Sequence, residues 1–329
     1  MTDTNAPPLL SIVIPTRNRQ TYLRCLLDYL AQSRRLDFEV VIQDNSDDPS
    51  ILRDGVAAMA DPRMRYDFRQ ERLTIDINCD LAMARARGTY VCMLGDDDGL
   101  LLDESLIMLA EMARKRIDAI VTAASYYAWP TVRHKTWGQI GGKLFTSDMT
   151  GLARDLDATA ERNKVLQTGG ALGLFQLPRV YHAFVRRDVL QRLADEAKTY
   201  FPGPSPDMAN AIGLTRFIER YQYIDYPFIV MGHSQGSGGG MGSEKKHQGD
   251  LASQAHLPSY TVGTWDPAIP LYWSGPTIYA QSVYHAIGQL FDRQRNPLNY
   301  AYLYATCLVY ARHLWRKTFL AIRNNPRSG

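Results

Sequence analysis

Three adjacent carboxylates, Asp96, Asp97 and Asp98, follow the hydrophobic run "TYVCML" with only Gly95 between. Carboxylates within one turn repel one another. Burial beside Val91, Met93 and Leu94 raises that cost unless a cation or hydrogen-bond donors sit among them. The cluster therefore asks for a partner; the structural alternative is an acidic turn in which one aspartate caps the helix beginning near Asp103 and the others face water. Two more carboxylates stand at element ends. Asp44 closes a second hydrophobic run and opens "DNSDD", where Asp and Asn often bond their own turn. Asp207 follows Pro206 at a helix start, an acceptable cap context. His233 closes a third apolar run, where a histidine reads as a surface group, and His182 within "VYHAFV" reads as a packed or substrate-side residue.

These residues need a frame that brings them together. From residue 9 to about 125 the chain alternates short β-branched runs with helical patterns. "LLSIVIP" precedes "RQTYLRCLLDYLAQS", whose Leu23, Leu26, Leu27 and Leu30 recur at i, i+3, i+4 and i+7. "FEVVIQ", "RMRYDF", "TYVCML" and "DAIVTAA" follow, separated by helices over about 50–60, about 77–87 and from Asp103. Hydrophobic runs without polar alternation predict an α/β fold with a mostly parallel sheet covered by helices on both faces. Ligands in such sheets bind at the carboxyl ends of the strands, which sets Thr16, Asp44 and Asp96 to Asp98 along one edge.

Residues 126–145, rich in Tyr, Trp, Thr and Gly, predict a strand pair or lid. "YHAFVRRDVLQRLADEA" predicts a strand turning into a helix, and "YIDYPFIVMG" a further strand before His233. "GSGGGMG" at 236–242 reads as a flexible loop. From about 277 the pattern is helical. The expected organisation is a domain over 1–240, with a first half over 9–125 and a second half over 126–240, and a C-terminal helical region over 241–329. In the last helix Trp315, Phe319 and Ile322 share one stripe, with Arg312, Lys317 and Arg323 elsewhere. That stripe predicts docking on the domain or on a second subunit, with peripheral attachment to an anionic membrane as the sharper alternative.

Composition removes several classes. Of 329 residues 22% are charged and 45% hydrophobic, so wholesale disorder is excluded. A formal charge of +3 without like-charge runs gives no footprint for nucleic acid. No apolar run reaches the roughly 18 residues of a membrane span. "MTDTNAPPLL" lacks the regions of a signal peptide. The scattered Cys25, Cys79, Cys92 and Cys307 predict four buried thiols in a reducing, cytosolic compartment. The first loop, "PTRNRQ", contains no glycine, so both the G-x-G-x-x-G and the P-loop nucleotide motifs are absent there.

Taken in order, "SIVIPTRNR", "VVIQDNSDD" and "GTYVCMLGDDD" resemble the family-two glycosyltransferases of GT-A fold, strongly over 9–125 and more weakly over 180–240. The resemblance implies a nucleotide-sugar donor site lined by Pro15, Thr16, Arg17 and Arg19, with Asp44 on the base and Asn78 near the nucleotide. It implies a DXD-type site, with Asp96 and Asp97 toward the donor and Asp97, Asp98 and His233 toward Mn²⁺ or Mg²⁺, and Asp207 as the base that activates the acceptor. Many relatives read Asp-x-Asp-Asp after the strand. Here Gly95 takes the first of those positions, which leaves open which two of the three aspartates act.

A diphosphate leaving group carries two to three negative charges, and a hard cation held by adjacent carboxylates suits that chemistry. A carboxylate at 44 would accept the imide N–H of uracil, favouring uridine nucleotides. The expected activity is inverting, metal-dependent transfer of a sugar to a saccharide or lipid-linked glycan in bacterial surface or exported polysaccharide synthesis. A catalytically silent nucleotide-sugar-binding or assembly subunit is the alternative. A sugar nucleotidyltransferase would show a G-x-G-T-R-like first loop, which is missing.

Overall fold

The computed structural model describes residues 7–134, 138–235, 237 and 248–326. Its first half runs β1 (Leu10–Thr16), α1 (Gln20–Ala31), β2 (Phe38–Asp44), α2 (Ser50–Met59), β3 (Met64–Phe68), α3 (Ile75–Met83), β4 (Tyr90–Met93), β5 (Gly99–Leu100), α4 (Leu102–Arg114) and β6 (Ala119–Ala128). Short strands β7 (Arg133–His134), β8 (Gly138–Gln139), β9 (Lys143–Phe145) and β10 (Ala153–Leu156) follow. Then come α5 (Ala158–Gln167), β11 (Ala183–Arg186), α6 (Arg187–Ala197), α7 (Pro206–Leu214) and β12 (Tyr221–His233). The chain closes with α8 (Gly275–Leu290), α9 (Tyr300–Tyr310) and α10 (Trp315–Asn324).

The main sheet has the order β10-β12-β6-β11-β4-β1-β2-β3. The expected α/β class is what forms, and β4, β1, β2 and β3 are parallel as the unalternated strands require. The second part of the sheet is mixed. β11 inserts antiparallel between β4 and β6, and β12 then pairs parallel to β6. The reason is local: β11 runs straight into α6, so its direction is set by where that helix packs.

β1 shows why both faces are apolar. Ile12 and Ile14 pack with Leu23, Leu27 and Leu30 of α1 and Leu106 and Leu109 of α4. Val13 faces the other way, onto a core with Ala82 and Met83 of α3 and Leu190 and Leu193 of α6. Full burial of each such side chain contributes about 1.5–3 kcal/mol. A third core joins Val165 and Leu166 of α5, Met208 and Ile212 of α7, and Val283, Ile287, Leu303 and Cys307 of the last helices. The C-terminal helices thus share a core with residues of the 126–240 half; the boundary expected at 240 falls outside the described residues.

One expectation fails. Cys25 is exposed on α1 while the other three thiols are buried, because its position lies off the leucine stripe. In α10 the buried residues are Thr318 and Ala321, not the aromatic stripe: Trp315 is 48% and Phe319 54% exposed. Small side chains let the helix sit close to Tyr304, whose hydroxyl donates to the Ala321 carbonyl. No helix among the described residues is long and apolar enough to cross a membrane.

Candidate active site

Parallel pairing in register sets Thr16 of β1 opposite Asp44 of β2, and the end of β4 feeds Asp96 to Asp98 into the same edge. All three aspartates are buried. Their repulsion is met by donors from four parts of the chain. Thr16 Oγ1 donates to Asp96 Oδ2 at 2.9 Å, and the Arg19 guanidinium donates to Asp96 Oδ1. The same guanidinium stands 2.8 Å from Asp97 Oδ2, which also accepts from the Ser234 amide at 3.0 Å and hydroxyl at 2.6 Å. Asp98 Oδ2 accepts from the Gly95 amide and from His182 Nε2, each at 2.6 Å, and its Oδ1 from the Gly232 amide at 2.8 Å. Among the described residues, Asp97 Oδ1 alone of the six carboxylate oxygens has no protein donor.

The electrostatics follow. Burial pushes the Asp96 carboxyl up to about 6, with Arg19 pulling against it and Asp97 adding to it. Burial pushes Asp98 up too, but the His182 charge and hydrogen bond and the Gly232 and Gly95 amides prevail and hold it below the usual carboxylate range.

Gly95 and Gly232 are matters of space. A Cβ at Gly232 would fall 1.8 Å from the Asp97 carbonyl oxygen, so β12 can reach the cluster only without a side chain there. A Cβ at Gly95 would stand 3.0 Å from Asp98 Oδ2 and 3.2 Å from the Tyr181 hydroxyl. An aspartate at 95 would crowd both, which accounts for the departure from Asp-x-Asp-Asp.

Around the cluster, Arg19 lies over the Tyr22 ring, Tyr22 meets Trp129 edge-on, and Trp129 Nε1 donates to the Asp97 carbonyl at 2.9 Å. Arg17 is turned away to Asn45 and Asp47, and Pro15, next to last in β1, pairs with Gln43. Asp44 is fully buried. It accepts from the Ser46 amide at 2.8 Å, the expected turn, and from the Tyr66 hydroxyl at 2.9 Å. Asn78 on α3 is buried with its Oδ1 unpartnered, as is the Gln43 amide; such orphans cost about 1–3 kcal/mol each.

Asp207 begins α7 behind Pro206 and is half-buried. Its Oδ1 accepts from the Ser205 hydroxyl and the Met208 amide at 2.6 and 2.8 Å, and its Oδ2 from the Tyr279 hydroxyl of α8 at 2.7 Å. Burial raises the Tyr181 phenol well above its ordinary value, and the fields of Asp98, Asp97, Asp207 and Asp96 add to that. The fields of the cluster and of Asp207 thus act on the same tyrosine.

His233 is not brought in. Its neighbours Gly232 and Ser234 bond the aspartates, so alternation along β12 turns its ring aside, edge-on to Tyr126. No group of three or more metal-ligating side chains occurs among the described residues. Asp98, expected as a metal ligand, has both oxygens engaged by protein. The glycine-rich stretch expected as a loop at 236–242 lies, apart from Ser237, outside the described residues. Sequence reasoning missed Ser234, Trp129, Tyr66 and Tyr279, and had His182 as a packed or substrate-side residue rather than a partner of Asp98. Ser234 was findable, two residues past the strand glycine; the aromatics carry no spacing signal.

Residues 11–166 match the family described as glycosyl transferase family 2. Abequosyltransferase RfbV of Salmonella typhimurium is 27% identical over 175 residues, which is 49% of this chain and 49% of that protein, so the chain spans about half the length of this curated relative. Crystal structures of S. aureus TarS 1-349, alone and in complex with UDP-GlcNAc, match with TM-scores of 0.50 and 0.51 at 16% and 17% identity. They cover 68% and 71% of this chain and 60% of theirs. The architecture is thus of the GT-A type. Residues 11–166, a little under half of the chain, are thus similar to glycosyl transferase family 2.

Proposed function

We propose that this protein is an inverting glycosyltransferase that takes a nucleotide sugar, with uridine diphosphate as leaving group, and transfers the sugar to a saccharide or lipid-linked glycan of a bacterial surface or exported polysaccharide. The observation that carries the reading is the single open oxygen, Asp97 Oδ1, in a buried cluster whose five other carboxylate oxygens each accept from a protein donor. The family match supports the reaction class, and the UDP-GlcNAc complex of TarS supports the uridine nucleotide.

The site fits a divalent cation through one carboxylate, which suits Mg²⁺ or Mn²⁺ completed by phosphate oxygens and water. Asp97 would hold it, and when bound it would neutralise the departing diphosphate. Arg19, already paired with Asp96 and Asp97, supplies a second positive charge at the same place. Asp44 and Asn78 serve the nucleoside, Asn78 through its unpartnered oxygen.

Asp207 uses three of a carboxylate's roughly four acceptor positions on Ser205, Met208 and Tyr279, leaving one for the acceptor hydroxyl. In a single displacement the hydroxyl oxygen bonds to the anomeric carbon as the bond to the diphosphate breaks, and the hydroxyl proton passes to Asp207. Attack from the face opposite the leaving group inverts the anomeric centre.

A panel of nucleotide sugars screened by thermal shift, with and without Mn²⁺, tests this, because a ligand of the native state raises its stability. The preferred donor should stabilise most with Mn²⁺ and release nucleoside diphosphate slowly without acceptor. Stabilisation without any release marks a silent binding subunit. No stabilisation by any nucleotide sugar overturns the proposal.

A further inference from the structure

We infer that the outer face of α9, the turn after it and α10 is a docking surface for an anionic lipid bilayer. Residues 293–329 contain seven Lys/Arg and no Asp or Glu, which leaves 30 basic against 34 acidic residues in the chain before them. The positive charge of this protein is therefore a property of one region. Large apolar side chains are exposed among those cations: Val309 at 83% and Tyr310 close the end of α9, and Trp315, Phe319 and Leu320 stand on α10. Trp315 and Phe319 meet edge-on with ring centroids 5.7 Å apart, and the Arg316 guanidinium lies 5.3 Å over the Trp315 ring.

Arg312, Arg316 and Arg323 are exposed and pair with no carboxylate among the described residues; Lys317 alone approaches one, Asp250 at 3.9 Å. Aromatic rings and a leucine beside unpaired guanidinium groups match the two layers of a membrane interface, acyl boundary below and phosphate above. A second copy of this chain fits poorly. A two-fold contact would set this face against itself, cation on cation.

The experiment is co-sedimentation of the full chain with vesicles of phosphatidylglycerol and phosphatidylcholine, against vesicles of phosphatidylcholine alone. Binding should require phosphatidylglycerol and be lost on raising salt from about 0.1 M to about 0.5 M, as screening of surface charge demands. Trp315→Ala with Phe319→Ala should weaken it at least tenfold, and Arg316→Glu alone should do the same with an unchanged melting temperature, since these side chains are exposed. Equal binding to neutral vesicles, no binding, or binding indifferent to both variants would overturn the inference. So would a dimer seen by sedimentation velocity that Trp315→Ala dissolves.

Discussion

The two acidic sites of this molecule are held in different ways. At the sheet edge, Asp96 to Asp98 are held by an arginine, a histidine, two hydroxyl groups and three backbone amides, drawn from β1, its following loop, the cluster's own turn, the residue before β11 and the end of β12. At the start of α7, Asp207 is held by two groups of its own turn and by one long-range donor, Tyr279. The first site is densely bonded and anionic, the condition for holding a cation against a diphosphate. The second is lightly tethered and keeps an acceptor position free, the condition for taking a proton.

Asp97→Asn and Asp207→Asn should separate these roles most sharply. Asp97→Asn should remove the Mn²⁺-dependent part of nucleotide stabilisation and lower transfer by roughly 10² to 10³, the scale for losing one charge-stabilising group. Asp207→Asn keeps the shape and much of the capping, so donor affinity should hold while single-turnover transfer falls by about 10² to 10⁴. Normal transfer in Asp207→Asn would reduce that residue to a helix cap.

A pH effect belongs to the first site alone. The Asp96 carboxyl is raised from 3.8 to about 6 by burial, so the folded state holds that proton more tightly than the unfolded state does. Its contribution to stability is full below pH 3.8 and is lost as pH rises through 6, in total about 3 kcal/mol. The stability of the ligand-free protein relative to Asp96→Asn should fall over that window in urea titrations. A difference that is flat with pH would mean that Arg19 compensates the charge fully.

The contrast also explains what could be read in advance. The sheet edge is built where strands end, and strand ends are visible as "SIVIPT", "VVIQD" and "YVCML". Parallel register then brings Thr16, Asp44 and the triple aspartate together without further information. The partners that saturate the cluster arrive from β11 and β12, 84 to 137 residues away in sequence, and no local pattern announces them. His233 misled because a strand end was legible but its alternation was not; the register of Gly232 and Ser234 decided which side chain faced inward. The α10 stripe left its partner open for the reverse reason: apolar periodicity reports a face, not what the face meets.

A smaller effect comes from Asp44. Its burial and two donors make Asp44→Asn expose a mismatch to Tyr66 or Ser46 as well as to any base, so nucleotide affinity should fall by about 1–3 kcal/mol by calorimetry. Full affinity with lost turnover would move Asp44 out of the nucleoside site.

The finest distinction rests on two tyrosines that buttress the two sites in parallel. Tyr66 donates to Asp44 at 2.9 Å and Tyr279 to Asp207 at 2.7 Å. Each bond is worth on the order of 1 kcal/mol, about a fivefold effect. Phenylalanine at either place keeps the ring and its packing and removes only the hydroxyl. If Asp44 meets the nucleoside, Tyr66→Phe should weaken UDP binding about fivefold and leave the rate of the saturated enzyme unchanged. If Asp207 acts on the acceptor, Tyr279→Phe should do the opposite, keeping UDP affinity and slowing transfer, because a carboxylate freed from its long-range tether samples orientations away from the acceptor hydroxyl. Equal effects of both variants on one quantity would show that the sites are not functionally separate, whatever their distance in the chain.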